Sequence, residues 1–166
     1  MSAEVATTQP ATKLHPFALA LSARDLGAMR ETITSDVVLN SPILSTPFEG
    51  REAVMELFEV IVDTLEDLHY TVALGEDNVR FMSFRARVGK VEMEGADILR
   101  LDDDGRIKEF TVFFRPLAGT ATLAAALGKR LARKRSRLRS FVVAAASQPM
   151  VVMSRASDRV APRLIE

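Results

Sequence analysis

Gly89 and Lys90 stand between two alternating runs, 79–88 and 91–101, and no other feature constrains the chain as tightly. A two-residue connection with glycine first is the chemistry of a tight antiparallel hairpin. Closing it between Val88 and Val91 pairs residues whose numbers sum to 179. Arg87 then faces Glu92 and Arg85 faces Glu94, two opposite-charge pairs on one face. The other face collects Met82, Phe84, Ala86, Met93, Gly95 and Asp97. A slip of one residue would turn every side chain to the wrong side. One register satisfies both faces, and it places a lone carboxylate on the dry one.

The remaining elements follow from pattern. Proline suits a first helical position, so a helix is expected from His15-Pro16 to about Arg24. Asp25 caps a second short helix with Leu26, Met29 and Ile33 on one side. The run Asp36–Pro42 reads as a short strand ended by proline, and ILSTPFEG as a loop. Val54, Leu57, Phe58, Ile61, Leu65 and Leu68 repeat at helical spacing, which predicts a helix over Arg51–Asp67. Strands are expected at 69–74 and, beyond the polar turn Asp102–Arg106, at 107–115. The order implies an α+β fold, three N-terminal helices packed on a mainly antiparallel sheet.

Length fits one domain with a proper core. The chain has no cysteine, which excludes disulfides and thiolate chemistry. Two histidines and scattered acids lack ligand spacing, so no metal and no cofactor is expected. DDDG (102–105) resembles a calcium loop only superficially, without the later ligands. The first residues carry no secretory signal and no apolar run approaches a membrane span, so a cytoplasmic protein is expected.

Net charge is zero, yet unevenly spread. Residues 1–116 hold 12 Lys/Arg against 20 Asp/Glu, a balance of −8; residues 117–166 hold 10 against 2, a balance of +8. The division read from this is a disordered 1–13, a domain over 14–117, and a basic, largely helical extension over 118–166. Leu123, Leu127, Leu131, Leu138, Phe141, Val142 and Ala145 form one stripe of a helix from Leu117 to about Ser147. Seven of the eleven residues in KRLARKRSRLR (129–139) are basic. Docking on the acidic body or a dimer partner ranks first. An anionic membrane surface is possible but not favoured, and nucleic acid ranks last because aromatics are not interleaved. Removing the chain beyond about residue 120 is expected to leave any pocket intact.

HPFALALSARD (15–25), DVVLNSP (36–42), PFEGREAV (47–54) and GADILRLDDDGRIKEFTVFFRPL (95–117) occur in an order and spacing that resembles the nuclear transport factor 2-like superfamily, in its SnoaL-like branch. The resemblance covers about residues 14–120. It implies a cone-shaped fold in which helices and a bent sheet enclose a cavity, and a homodimer formed through the sheet's outer face. The superfamily holds ketosteroid isomerases, polyketide cyclases and non-catalytic binding modules, so fold does not decide function.

Asp97 is the tentative catalytic residue and the best-supported polar contact. Burial among apolar neighbours tends to raise a carboxyl's pKa, and a protonated acid there can donate a hydrogen bond or act as a general acid. The alternative is a structural bond to backbone, Arg100 or His69. The resemblance also marks what is missing. Ser41 stands where steroid isomerases place their proton-abstracting aspartate, and Phe17 and Phe58 align with tyrosines of their oxyanion network. The cyclases' histidine has no clear counterpart. The expected ligand-binding wall is Phe17, Ser41, Phe58, Met82 and Phe84, with Met93, Asp97, Phe110, Val112 and Phe114. Methionines suit a wall that adapts to varied ligands. His15 reads as an exposed or capping residue, His69 as structural, and Asn40 as a possible group at the cavity mouth. Strand parity does not decide where Tyr70, the one tyrosine, points. The leading reading is a binder of a small hydrophobic molecule; the alternatives are a small isomerase, cyclase or lyase using Asp97, or a dimeric interaction module.

Overall fold

Two capped helices open the chain in a computed structural model that describes residues 13–135, with side chains to Arg130. Helix α1 (Pro16–Ser22) has proline in its first turn, and His15 Nδ1 accepts the Phe17 N–H at 3.2 Å. That leaves the proton on Nε2, which donates to the Gly105 carbonyl at 2.9 Å. His15 is therefore a cap, as one of its readings had it, but a buried one that ties the N-terminus to a turn ninety residues away. Helix α2 (Leu26–Glu31) is capped by Asp25, which accepts the Ala28 N–H at 2.9 Å.

The next elements depart from the sequence reading at their ends. Helix α2 stops at Glu31, and Ile33 begins strand β1 (Ile33–Asn40), pairing with Ile107. Within the expected loop, Phe48–Glu49 forms a short edge strand, β2, against Val38 and Leu39. Helix α3 (Arg51–Val62) ends five residues before the expected Asp67. The cause is tertiary. Arg24 donates to the carbonyls of Val62 at 2.6 Å and Leu65 at 3.0 Å, and Thr64 Oγ1 donates to Val60 O at 2.6 Å. These bonds satisfy carbonyls that another helical turn would have used. Strand β3 (Glu66–Glu76) follows, longer than the expected 69–74, with Asp67 at φ 53° where its register shifts between Glu66 and His69.

Strands β4 (Val79–Val88), β5 (Val91–Leu101) and β6 (Ile107–Arg115) fall where periodicity placed them. The six strands lie in the order β2-β1-β6-β5-β4-β3, antiparallel except for the β1–β6 pair. The fold is α+β, a curved sheet with helices against it. From Val79↔Arg100 to Val88↔Val91 the β4–β5 pairs sum to 179, and Gly89 takes the positive φ (59°) that the turn needs. Arg85 meets Glu94 at 3.1 Å, as the register requires. Arg87 lies opposite Glu92 but turns to the β3 side, to Glu66 (2.7 Å) and Asp67 (2.8 Å).

Helix α4 (Leu117–Arg135) follows β6. Gly119 lets it approach closely, since a Cβ there would lie 3.0 Å from Met93 Cβ. Ala118, Ala121, Leu123 and Leu127 are buried, and the two leucines join the core cluster that also contains Phe17 and Leu99. The first three turns of α4 thus pack against the sheet and core. The expected disorder of the first residues, and the helical stripe from Leu138 onward, lie outside the described residues.

His15 supplies a test. Burial, aided by Arg80, lowers its pKa below 6.5 against the opposing pull of the Gly105 carbonyl. The unfolded chain then takes up a proton first, so this group's stabilisation is full above pH 6.5 and is lost as pH falls toward the folded value. His15→Ala removes a cap and a long-range hydrogen bond, an expected loss of about 1–3 kcal/mol. Urea unfolding at pH 7.5 and pH 5.5 measures both; equal losses at the two pH values would refute the neutral-imidazole assignment.

Candidate ligand-binding cavity

The inward alternation of β5 and β6 builds one wall of a cavity of about 380 Å³, and α3 and α4 build the other. Phe84 of β4, Asp97 of β5, and Phe110, Val112 and Phe114 of β6 line the sheet side. Leu57, Phe58 and Ile61 come from α3, and Leu123, Ala124, Leu127 and Gly128 from α4. Ser41–Leu44 and Phe48 complete the rim, and Leu44 remains 53% exposed there.

Gly95 explains how an aromatic ring fits beside the acid. It lies between Phe84 and Phe114 in the register. A Cβ at this position would collide with the Phe84 ring, so the ring lies over the glycine backbone. Phe84 meets Phe114 edge-on at 5.9 Å, next to Asp97.

Asp97 is 2% exposed, between Met82 and Val112 in the sheet. Its hydrogen-bond partner among the described residues is Tyr70, whose hydroxyl donates to Oδ2 at 3.3 Å. Burial pushes the Asp97 pKa up to about 8, against the smaller lowering effect of the Tyr70 bond. Burial, and then the nearby Asp97 charge, hold the Tyr70 hydroxyl well above its ordinary pKa. At neutral pH the pair is thus phenol plus carboxylic acid. Tyr70 fills Oδ2, which leaves the acid proton available to a partner in the cavity.

The anticipated wall divides. Ser41, Phe58, Phe84, Asp97, Phe110, Val112 and Phe114 lie together around the cavity. Phe17, Met82 and Met93 do not. Phe17 is fully buried behind the wall, edge-on to Phe58 at 4.9 Å and Phe110 at 5.2 Å. Met82 packs in the core beside Asp97, and Met93 is covered by α4 at Gly119. Asn40 donates to Glu109 (3.2 Å) and Thr111 (3.1 Å) and is not among the lining residues. Ser41 Oγ accepts the Ile43 N–H at 3.1 Å. Neither Arg100, which pairs with Glu109 at 3.4 Å, nor the exposed His69 reaches Asp97.

Sequence reasoning missed Tyr70 and the α4 wall. Tyr70 is undecided by parity because β3 shifts register between Tyr70 and Val72, so alternation breaks at that point. The stripe Leu123–Leu127 was visible, but which surface it would meet was not. Since α4 closes one side, truncation near residue 120 would remove part of the cavity, contrary to the expectation that the pocket survives.

A model of the SnoaL-like domain matches residues 15–110. The chain belongs to the SnoaL-like family. Among solved structures, this SnoaL-like protein is similar to a steroid delta-isomerase from Pseudomonas aeruginosa, with 33% identity over 69% of this chain and 85% of that one, at a TM-score of 0.66. It is also similar to an uncharacterised protein with a cystatin-like fold from Silicibacter pomeroyi DSS-3 (22% identity, 70% and 86% covered, TM-score 0.66). A third similar structure is a putative SnoaL-like polyketide cyclase from Shewanella denitrificans OS-217 (14% identity, 60% and 85% covered, TM-score 0.52). The last two likenesses concern fold alone. No curated protein matches the sequence.

The buried acid gives this family member a measurable signature. Asp97 loses its proton near pH 3.8 when unfolded and near pH 8 when folded. The folded chain therefore holds more protons between those values. Stabilisation from this group is full below pH 3.8 and is lost as pH rises through 8, with a slope approaching about 1.4 kcal/mol per pH unit. Asp97→Asn should flatten that dependence and raise stability at pH 8 in urea titrations. A variant no more stable than wild type at pH 8 would mean the carboxyl is ionised in the fold.

Proposed function

We propose that the protein binds a small, largely apolar molecule in this cavity, with Asp97 donating a hydrogen bond to an acceptor oxygen such as a carbonyl. The observation that carries the reading is a single buried carboxyl in an otherwise apolar wall. Among the described lining residues Asp97 is the one titratable side chain, and Ser41 is the one hydroxyl. Apolar contact then supplies most of the affinity, and one donor supplies orientation.

A second reading is favoured by the likeness to the steroid delta-isomerase: a small isomerase, cyclase or lyase in which Asp97 acts as general acid. Such chemistry needs a base within hydrogen-bond reach of the proton it takes. Ser41, at the position the resemblance assigns to that base, is a poor one. Binding is therefore preferred to proton shuttling.

We also propose a homodimer through the outer face of the sheet. Phe113 (53% exposed), Phe81, Val72 and Leu74 stand exposed there. Cross-strand pairing of Phe81 with Leu74 and Ile98, and of Ala96 with Phe113, joins them into one patch. The ion pairs Arg85–Glu94–Arg115 on one side and Arg100–Glu109 on the other flank it. Such a patch can be covered by its own two-fold copy, with both charge signs available at each border.

Nile red, an apolar fluorescent ketone, tests the binding. Affinity should fall above pH 8 in the wild type as the donor ionises, and stay level in Asp97→Asn, which keeps a donor. Asp97→Ala should weaken binding about fivefold to tenfold at pH 7. Unchanged affinity in Asp97→Ala would remove Asp97 from the site. For the dimer, Phe113→Asp should convert a two-chain species to one chain in sedimentation equilibrium. A wild-type monomer at tens of micromolar would dismiss the interface.

A further inference from the structure

The basic run begins directly after the cavity lining on α4. Leu127 and Gly128 line the cavity, and the next two residues, Lys129 and Arg130, are exposed. Leu127 is the last buried residue of α4 among those whose side chains are described. Docking on the acidic body or a dimer partner is the first expectation for this helix, and Leu123 and Leu127 pack within the chain's own core. The exposed Lys129 and Arg130 take no part in that packing. The helix continues to Arg135, and the sequence adds five further cations between 131 and 139. Leu44, another lining residue, presents an apolar side chain to solvent.

We propose that the cavity rim docks on an anionic lipid bilayer, and that an apolar ligand passes between bilayer and cavity there. The second half rests on the binding reading above. Cations next to the lining residues Leu127 and Gly128, together with the exposed lining residue Leu44, match the chemistry of an interfacial contact, where charge attracts the surface and leucine enters it. No described helix is long and apolar enough to cross a membrane, so the contact is peripheral. Charge also sets the orientation. The body to residue 116 carries −8 and is repelled by an anionic surface, while 117–166 carries +8, which turns the mouth toward the lipid. An apolar ligand is scarce in water and concentrated in the bilayer, so a mouth held against lipid avoids an aqueous step.

Vesicle flotation with the full chain tests this, using phosphatidylcholine alone or with about 30% phosphatidylglycerol. Binding is expected to the anionic vesicles only and to weaken with salt. The variant K129Q/R130Q/R133Q/K134Q/R135Q should lose at least about 100-fold in partitioning, while its Nile red affinity in solution stays at the wild-type value. Leu44→Ser should lose roughly fivefold to tenfold in partitioning. Nile red should leave anionic vesicles for the protein faster than neutral ones. Equal binding to both vesicle types, retained binding in the glutamine variant, or binding to RNA but not to vesicles would each overturn docking. Nile red binding in solution without vesicle binding would overturn this inference and leave the cavity reading standing. Vesicle binding by a chain that takes up no Nile red would overturn the cavity reading and ligand entry together.

Discussion

The ladder between β4 and β5 is the constraint from which the rest of the structure follows. It is closed by a two-residue turn, so its register depends on local chemistry alone, and Gly89 supplies the required positive φ. Every inward position on these strands is then decided at once. Asp97 must face the interior, Met82 must lie beside it, and Gly95 must lie under Phe84. The neighbouring strands inherit that alternation, β6 by presenting Phe110, Val112 and Phe114 on the same side. A single slip would put the acid in water and Glu94 in the core.

Holding an acid there costs stability, and the chain limits the cost instead of removing it. A salt bridge would have required a buried cation, with its own desolvation penalty. Tyr70 provides one donor, and protonation disposes of the charge. The result is a protonated acid in the wall of an apolar cavity, with Tyr70 as its hydrogen-bond partner among the described residues. A group of that kind is strengthened by the dry surroundings that make it costly.

Local features were legible in the sequence, and those set by distant partners were not. The 179 register, the Asp25 cap, the Asp102–Arg106 turn and the inward side of β6 each depend on residues close in the chain. The end of α3 depends on Arg24, some forty residues earlier, so the periodic Leu65 and Leu68 suggested a longer helix than forms. Both residues still line the cavity, because the turn and first residues of β3 continue the same side. The site divided along the same line. Strand residues next to Asp97 were readable, whereas Phe17 was displaced from the wall by the α3 ring it packs against. Tyr70 was hidden by a bulge, and the α4 wall by the absence of any local sign of what its leucines would meet.

The three rings of Phe17, Phe58 and Phe110 show why the cavity does not collapse. They meet edge-on at 4.9, 5.2 and 5.7 Å and join α1, α3 and β6 into one brace. Each ring is held by the other two, so α3 cannot settle onto the sheet without breaking aromatic contacts worth about 0.5–1.5 kcal/mol per pair. The Gly105 bond from His15 anchors α1 two residues before Phe17. Wall atoms around the cavity thereby lose packing partners on one side, a cost that scales with volume at about 24 cal/mol per Å³ in engineered cavities. Water recovers little of it, since an apolar wall offers few of the two to four polar partners that a buried water needs. A molecule with an apolar body and one acceptor oxygen supplies both the missing dispersion contacts and an acceptor for Asp97.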